Sequence, residues 1–433
     1  MNTAYTAYRL LSTGLFASLL PPFYLYSRIS GKYRESLSQR LGFYPGELLH
    51  GISGSPRVWI HAVSVGEVSV ASAIITSLAR LMPDCALILS TTTEQGQFFA
   101  REKLQNAATC IYAPVDFSGA IRKALLTVKP EVLVFIETEI WPNWLVGARR
   151  MGIKTVFVNG RISVRSIKGY LKIRSLTKEA LKKVQAFSMI SNEDALRIQM
   201  IGAAPGRVEV NGNAKYDLLI DQANIALKKK LRHLYHLEKA RPVFVAGSTR
   251  RTEEKAVLDA YEQITQILPD TLLIIAPRHV ERAQYIKDLV VSRGFSCQLR
   301  TEFAETNDRR TAPVVVVDTI GELLATYSIA SVVFCGGSLV DLGGQNVLEA
   351  AVWSKPVLYG PSMDDFLDAK QLLDRTGGGI RVADGKQLAE KALYLLSRPD
   401  EAKRLGKLAK KAVLLNKGAA DRHASVIQRV LSS

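Results

Sequence analysis

The sequence predicts an α/β protein built from two doubly wound, Rossmann-like domains. Three observations lead there. Short continuous runs of apolar β-formers recur along the chain, as expected for strands of a parallel sheet buried on both faces. Amphipathic helical patterns lie between most of these runs. The alternation pauses once, in a basic helical stretch, and then begins again, so 433 residues divide into two domains of similar size.

The first element is an apolar run without charge, "LLSTGLFASLLPPFYLYS" from Leu10 to Ser27, followed by Arg28, Lys32, Arg34 and Arg40. No small-x-small cleavage site follows it, which argues against a signal peptide. Pro21-Pro22 should interrupt a simple spanning helix. Residues 1–27 are therefore expected to be a short N-terminal membrane anchor, with the basic flank on the cytoplasmic side. The alternative is a hydrophobic arm that packs on the domain behind it.

The first domain is expected over 28–216. Its strands read as Val58–Val63, Ala86–Ser90, Cys110–Ala113, Val132–Glu137, Lys154–Asn159, Ala186–Ser191 and Val208–Asn211. In "VWIHAVSVGEVSVASAIITSLARL" a strand runs into a helix, and Glu67 stands at the junction. An acid in a first helical turn complements the macrodipole. A carboxylate at the carboxyl end of a sheet strand can also meet a ligand and act as a base. "FIETEIWPNW" delivers Glu137 and Glu139, of which Glu139 reads better as a cap for the next helix. The run "NGRISVRSIKGYLKIRSLTKEALKKV" is strongly basic, with Arg165, Lys168, Lys172 and Arg174. It suits either a solvated face or contacts to a phosphorylated lipid or membrane surface. Lys215 in "GNAKYD" precedes the pause in the alternation, expected as a linker over 217–240.

The second domain, 241–433, repeats the pattern with strands Val243–Gly247, Leu272–Ala276, Val314–Asp318, Val332–Cys335 and Pro356–Tyr359. The final helix is free to cross back to the first domain. In "VVFCGGSLVDLGGQNVLEAA", Gly336-Gly337 and Gly343-Gly344 lead from a strand to a helix bearing Asn346, Val347, Leu348 and Glu349. Glycines permit close approach to backbone amides, and a helix N-terminus favours phosphate. Glu349 lies where it could accept ribose hydroxyls. "FVAGSTRRTEE" puts Gly247-Ser248-Thr249 at a helix start. Arg278 and His279 in "APRHVER", and Ile320, Gly321 and Glu322 in "DTIGEL", also fall at strand ends. Together these loops point to a nucleotide pocket, and two such domains would face each other across a cleft.

A formal net charge of +17 favours an anionic partner. No nucleic-acid reader module, Walker-type loop, Cys/His zinc cluster or Asp-x-Asp pair occurs. The four cysteines, Cys85, Cys110, Cys297 and Cys335, have no metal-like spacing and read as buried thiols of a reducing compartment.

"HAVSVGEV", "ETEIWPNW", "VNGRIS", "GNAKYD", "APRH", "DTIGEL" and "GGQNVLEAA" stand in the order found in the 3-deoxy-D-manno-octulosonic acid (Kdo) transferases, and the chain resembles that family over nearly its whole length. The resemblance implies a GT-B glycosyltransferase that moves Kdo from CMP-Kdo to lipid A precursor, with inversion and without an active-site metal or cofactor. It implies Glu67 as catalytic base, and Glu137 and Lys215 as residues acting at the transition state. It assigns CMP contacts to Arg278, His279, Ile320, Gly321, Glu322 and the stretch Asn346, Val347, Leu348 and Glu349. It places the protein on the cytoplasmic side of a cell inner membrane. Two departures stand out: Ala350 replaces a common proline, and "GPSMDDF" replaces a common "GPHTFNF" in a loop expected to line the cleft.

Two other functions fit parts of the sequence. One is a membrane-associated GT-B enzyme using a UDP-sugar. The other is a non-catalytic membrane-surface binding protein, which gives no reason for Glu67, Glu137 and Lys215 to converge.

Overall fold

The computed structural model describes residues 3–433 except Lys32, Arg34, Glu35, Gly51, Thr138, 238–240 and 304–309. Lys32 and Arg34 of the expected basic flank thus lie outside the described residues. The chain forms two compact units. One comprises Met1–Asp217 with Gly418–Ser433, and the other Leu218–Lys417.

The first unit holds a parallel sheet of β1 (Arg57–His61), β2 (Ala86–Thr91), β3 (Thr109–Tyr112), β4 (Val132–Ile136), β5 (Lys154–Gly160), β6 (Ala186–Met189) and β7 (Val208–Val210), in the order β3-β2-β1-β4-β5-β6-β7. Strand alternation divides its core into two. Trp59, Leu133, Phe135 and Phe157 face one layer of helices. Val58, Ile60, Val134 and Val158 face the other, together with Ala424 and Ile427 of the last helix, Ala419–Ser432. That helix is fastened at its start by Asp217, whose carboxylate accepts the Gly418 and Ala420 amides at 2.8 Å each.

The second unit repeats the plan with β8 (Val243–Thr249), β9 (Leu272–Pro277), β10 (Cys297–Leu299), β11 (Val314–Val316), β12 (Val332–Cys335), β13 (Val357–Tyr359) and β14 (Gly379–Arg381), in the order β10-β11-β9-β8-β12-β13-β14. Phe244, Leu273, Val314, Phe334 and Leu358 anchor its core. The stretch expected as a linker, 217–240, belongs to this unit from Leu218 onward, and its last three residues lie outside the described residues. It is mostly helical, over Ala214–Gln222 and Ile225–Leu234, and buries Leu231, Tyr235 and Leu237.

Two other expectations change. No helix among the described residues is long and apolar enough to cross a membrane. Leu10–Ser27 lies inside one helix, Thr3–Ser30, that continues through Pro21-Pro22. Both prolines are exposed, so the carbonyls they leave unpaired face water. The first half of this helix is docked on the sheet unit. Tyr5 donates to Asn143 Oδ1 at 3.1 Å, Tyr8 donates to Asp116 Oδ2 at 2.6 Å, and Phe16 stacks on Phe117 with centroids 4.5 Å apart. All four cysteines are free, but only Cys110 and Cys335 are buried; Cys85 and Cys297 are partly exposed.

Candidate active site

In the first sheet the chain leaves β1 for β2 and β3, then returns to place β4 on the other side of β1. The loops after β1 and β4 therefore diverge at a topological switch point, where open α/β sheets bind ligands. Glu67 follows β1, and Glu137 follows β4 directly.

Glu67 lies in the first turn of the helix Val65–Leu81, and Ser64 is the N-cap. Its Oε2 accepts the Val63 amide at 2.7 Å, and its Oε1 accepts the Ser64 hydroxyl at 3.2 Å. Ser64 Oγ in turn accepts the Glu67 amide at 3.5 Å, a variant of the capping box. The capping function of Glu67 is thus real, and it fixes the carboxylate in place. Burial pushes the carboxyl up to about 7, reinforced by the negative charges of Glu137 and Glu139 and opposed by the two hydrogen bonds. A carboxyl poised near neutrality suits a general base.

Glu137 has φ of 57° and Asn159, at the end of the neighbouring β5, has φ of 52°. Left-handed backbone at non-glycine residues is strained and collects at functional sites. The two positions are tied: the Glu137 amide donates to Val158 O at 3.0 Å. Asn159 Oδ1 accepts the Ala214 amide at 2.8 Å, which brings Lys215 to the same edge of the sheet. Lys215 is exposed, the second residue of its helix. Glu139 does not cap the helix Pro142–Arg150. That role falls to Asp116, whose carboxylate accepts the Trp144 amide at 3.2 Å and the Asn143 amide at 3.5 Å. Burial instead pushes the Glu139 carboxyl upward, and the negative charge of Glu137 adds to the shift. The basic residues Arg165, Lys168 and Lys172 lie on the helix Val164–Lys172, which buries none of its residues.

In the second unit β11, β9, β8 and β12 are adjacent and parallel, so the loops at their carboxyl ends share one edge. Arg278 and His279 follow β9 and are exposed. Ile320 is 87% exposed beside Gly321, and Glu322 pairs with Arg300 at 2.9 Å. After β12 the expected helix at Gly344 is one turn only, Leu348–Ala351. Asn346 precedes it, donating to Glu349 Oε1 at 3.3 Å and accepting the Leu348 amide at 3.2 Å. Val347 and Leu348 are core side chains, so only their backbone is available to a ligand. Ser248 and Thr249 end β8 rather than start a helix, which begins at Glu253.

The glycine pairs serve the protein's own packing. A Cβ at Gly336 would meet Thr249 backbone at 2.7 Å, and one at Gly343 would meet Asp365 at 2.4 Å. The amides of Gly337, Ser338 and Leu339 do not await a phosphate. They donate to the buried carboxylate of Glu253 at 2.6, 2.9 and 2.9 Å. The divergent "GPSMDDF" loop locks the second pair: Ser362 Oγ accepts the Gly343 amide at 2.9 Å, and the Asp365 amide donates to Gly343 O at 3.0 Å.

The profile of the 3-deoxy-D-manno-octulosonic-acid transferases (kdotransferases) matches residues 35–218. A 3-deoxy-D-manno-octulosonic acid transferase of Haemophilus influenzae is 29% identical over 93% of this chain and 93% of its own. One from Rickettsia felis is 30% identical over 86% of this chain and 79% of its own. The chain belongs to this family. The fold agrees at the level of architecture: a glycosyltransferase from Rickettsia africae superposes with TM-score 0.61 at 12% identity, covering 87% of this chain and 99% of that one.

As a Kdo-transferase family glycosyltransferase, the protein carries three supporting residues that sequence patterns did not single out. Asp116 lies outside every quoted motif, and Glu253 lies inside "FVAGSTRRTEE" without being singled out; both act on backbone far away in sequence. His423, in the last helix, is buried and held neutral, its ring pushed down to about 4 by burial. Its Nε2 contacts Gly212 O at 3.0 Å, and Nδ1 faces Ser188 Oγ at 2.7 Å and the Asn159 amide at 3.4 Å. It thereby braces the two strand ends that carry Asn159 and Lys215.

Proposed function

We propose that this enzyme transfers Kdo from CMP-Kdo to a hydroxyl of a phosphorylated glycolipid, the lipid A precursor, with inversion and without a metal. The observation that carries the reading is Glu67: a fixed, half-neutralised carboxyl at the switch point of the first sheet, beside Glu137. In the ionised form Glu67 takes the proton of the attacking acceptor hydroxyl. The oxygen bonds to the anomeric carbon as the bond to the CMP phosphate breaks, and CMP leaves with both bonding electrons. Lys215 offers a cation for the charge growing on that phosphate. Arg278, His279 and the Ile320–Glu322 backbone hold the donor, and Asn346 and Glu349 take the ribose.

The acceptor side is supported by an apolar cavity of about 770 Å³ between the N-terminal helix and the first sheet. Phe16, Leu19, Leu20 and Phe23 line it, as do Thr93 and Glu94 at the start of the helix Glu94–Leu104 that follows β2, the neighbour of β1. Acyl chains would enter there with the sugar hydroxyl near Glu67. Exposed Leu11, Leu15 and Leu25 on the same helix, with the basic helix Val164–Lys172, favour work at the cytoplasmic face of an inner membrane.

The test is incubation with CMP-Kdo and lipid A precursor, followed by mass spectrometry of the lipid. Addition of Kdo with release of CMP is expected. Transfer from a UDP-sugar and none from CMP-Kdo would overturn the proposal.

A further inference from the structure

The amino-terminal edge of the second sheet carries a cavity of about 500 Å³. It opens beside Pro242 and Val243 at the start of β8, Ser331 ahead of β12 and Pro356 ahead of β13. The donor loops lie at the other end of the same strands, about 20 Å away for a strand of this length. Lys228, Arg232, Arg241, Lys355 and Lys403 line the cavity, and no acidic residue does among the described residues.

None of these five cations pairs with a carboxylate among the described residues. Among the described residues, Arg232, Arg241 and Lys355 reach only backbone carbonyls, those of Leu237, Asp270 and Ala330. Asp400 and Glu401 begin the helix Pro399–Asn416 nearby, but neither lines the cavity, and Glu401 pairs with Arg404 at 2.8 Å. Burial, with the charges of Lys228 and Arg232, pulls the Lys355 ammonium down to about 7. Like charges crowded without a counter-ion are costly, and an anion would relieve them.

A second observation points the same way. Ser328 is fully buried against the cavity, and its hydroxyl has no hydrogen-bond partner among the described residues. The rest of the wall is apolar, with Leu395 and Leu396 prominent. Cations at the rim, a spare hydroxyl and an apolar wall suit a phosphate attached to a sugar or base ring, in a volume typical of small-molecule sites.

We propose that this cavity is a second anion site, separate from the donor loops, that binds a phosphate monoester or diphosphate. The phosphate comes either from a free nucleotide or sugar phosphate or from the headgroup of a membrane lipid.

Calorimetry of the full chain with inorganic pyrophosphate tests it. Saturable binding in about the micromolar-to-millimolar range is expected. With CMP saturating the donor loops, Lys355→Gln and Lys228→Glu should each weaken it at least about tenfold. Lys403→Glu, at an exposed position, keeps the test informative if Lys355→Gln fails to fold. No saturable binding, or binding indifferent to Lys228→Glu and Lys403→Glu, would overturn the site. Once pyrophosphate binds, sedimentation with phosphatidic acid vesicles separates the sources. Loss of sedimentation in Lys228→Glu assigns the lipid headgroup, and unchanged sedimentation assigns the free phosphate.

Discussion

The carboxylate of Glu253 accepts the amide of Gly337 at 2.6 Å, across 84 residues of sequence. The same side chain takes the amides of Ser338, Leu339 and Arg250. It does for the loop after β12 what a bound phosphate does in many nucleotide folds. It gathers backbone donors around one anion, but the anion is the protein's own. Burial raises this carboxyl, while the four amides oppose that shift. The Gly-Gly loop is therefore pre-set before any donor arrives.

Glu253→Gln should be strongly destabilising. The substitution keeps the shape but swaps an acceptor oxygen for an NH2 group that faces amide donors. Leaving such buried donors unpaired costs about 2–4 kcal/mol. Urea unfolding should show a lower midpoint, and CMP affinity should fall because the loop is no longer held. An unchanged midpoint would show that the loop does not depend on Glu253.

Glu67→Gln should keep the fold and lower turnover by about 10²–10⁴-fold, the usual loss for a general base. The native enzyme should show the matching pH profile. The active form is the carboxylate, so kcat/KM should fall tenfold per pH unit below about 7 and level off above it. Stability runs the opposite way. The folded carboxyl holds its proton more tightly than the unfolded one, so this group's contribution is complete in acid and lost as pH rises through about 7. An acid limb near the ordinary glutamate value would remove Glu67 as the base.

Much of this was legible in sequence because the signals are local. Apolar runs became the central strands within a residue or two, and Ser64, Gly66 and Glu67 mark a strand-to-helix junction by themselves. Two strands escaped notice, β10 (Cys297–Leu299) and β14 (Gly379–Arg381). Both are three residues long and lie at sheet edges, where half-exposed residues blur the apolar pattern. The glycine pairs were visible, but the groups they approach were not. Gly336 closes on Thr249, and Gly343 on Asp365, contacts made only by the folded chain. His423 escaped for the same reason: its partners lie more than two hundred residues upstream.

Leu15→Ser with Leu19→Ser should weaken binding to anionic vesicles, read by sedimentation, by about a hundredfold or more without unfolding the protein. Both side chains are more than half exposed, whereas the contacts that dock the helix come from Tyr5, Tyr8 and Phe16. Each removed leucine forfeits about 1.5–3 kcal/mol of burial in a lipid phase. Tyr8→Phe is the contrasting variant. It breaks the bond to Asp116, the cap of the helix Pro142–Arg150, and should lower thermal stability while leaving vesicle binding near normal. Equal vesicle binding by the Leu15/Leu19 variant and the native chain would show that this helix is not a membrane contact.

Lys215→Ala separates two roles for the cation at the first sheet's carboxyl edge. Lys215 is exposed, and its ammonium meets no carboxylate among the described residues. Its helix begins on the Asn159 side chain, within the strained strand ends next to Glu137. If the ammonium neutralises charge growing on the departing phosphate, its contribution exists mainly in the transition state. Removing it then lowers kcat and kcat/KM together, by about tenfold or more, with the acceptor KM nearly constant. If it holds an acceptor phosphate in the ground state, the acceptor KM rises and kcat stays. The first outcome is expected, because Lys215 is tied through Asn159 to the same strand ends that present Glu137. Lys215→Arg should then recover part of the rate, since it keeps the charge but spreads it over a larger group. Steady-state kinetics with each substrate varied in turn decides between the two. A change below about twofold in both parameters would make Lys215 a surface residue and remove the cation from the mechanism.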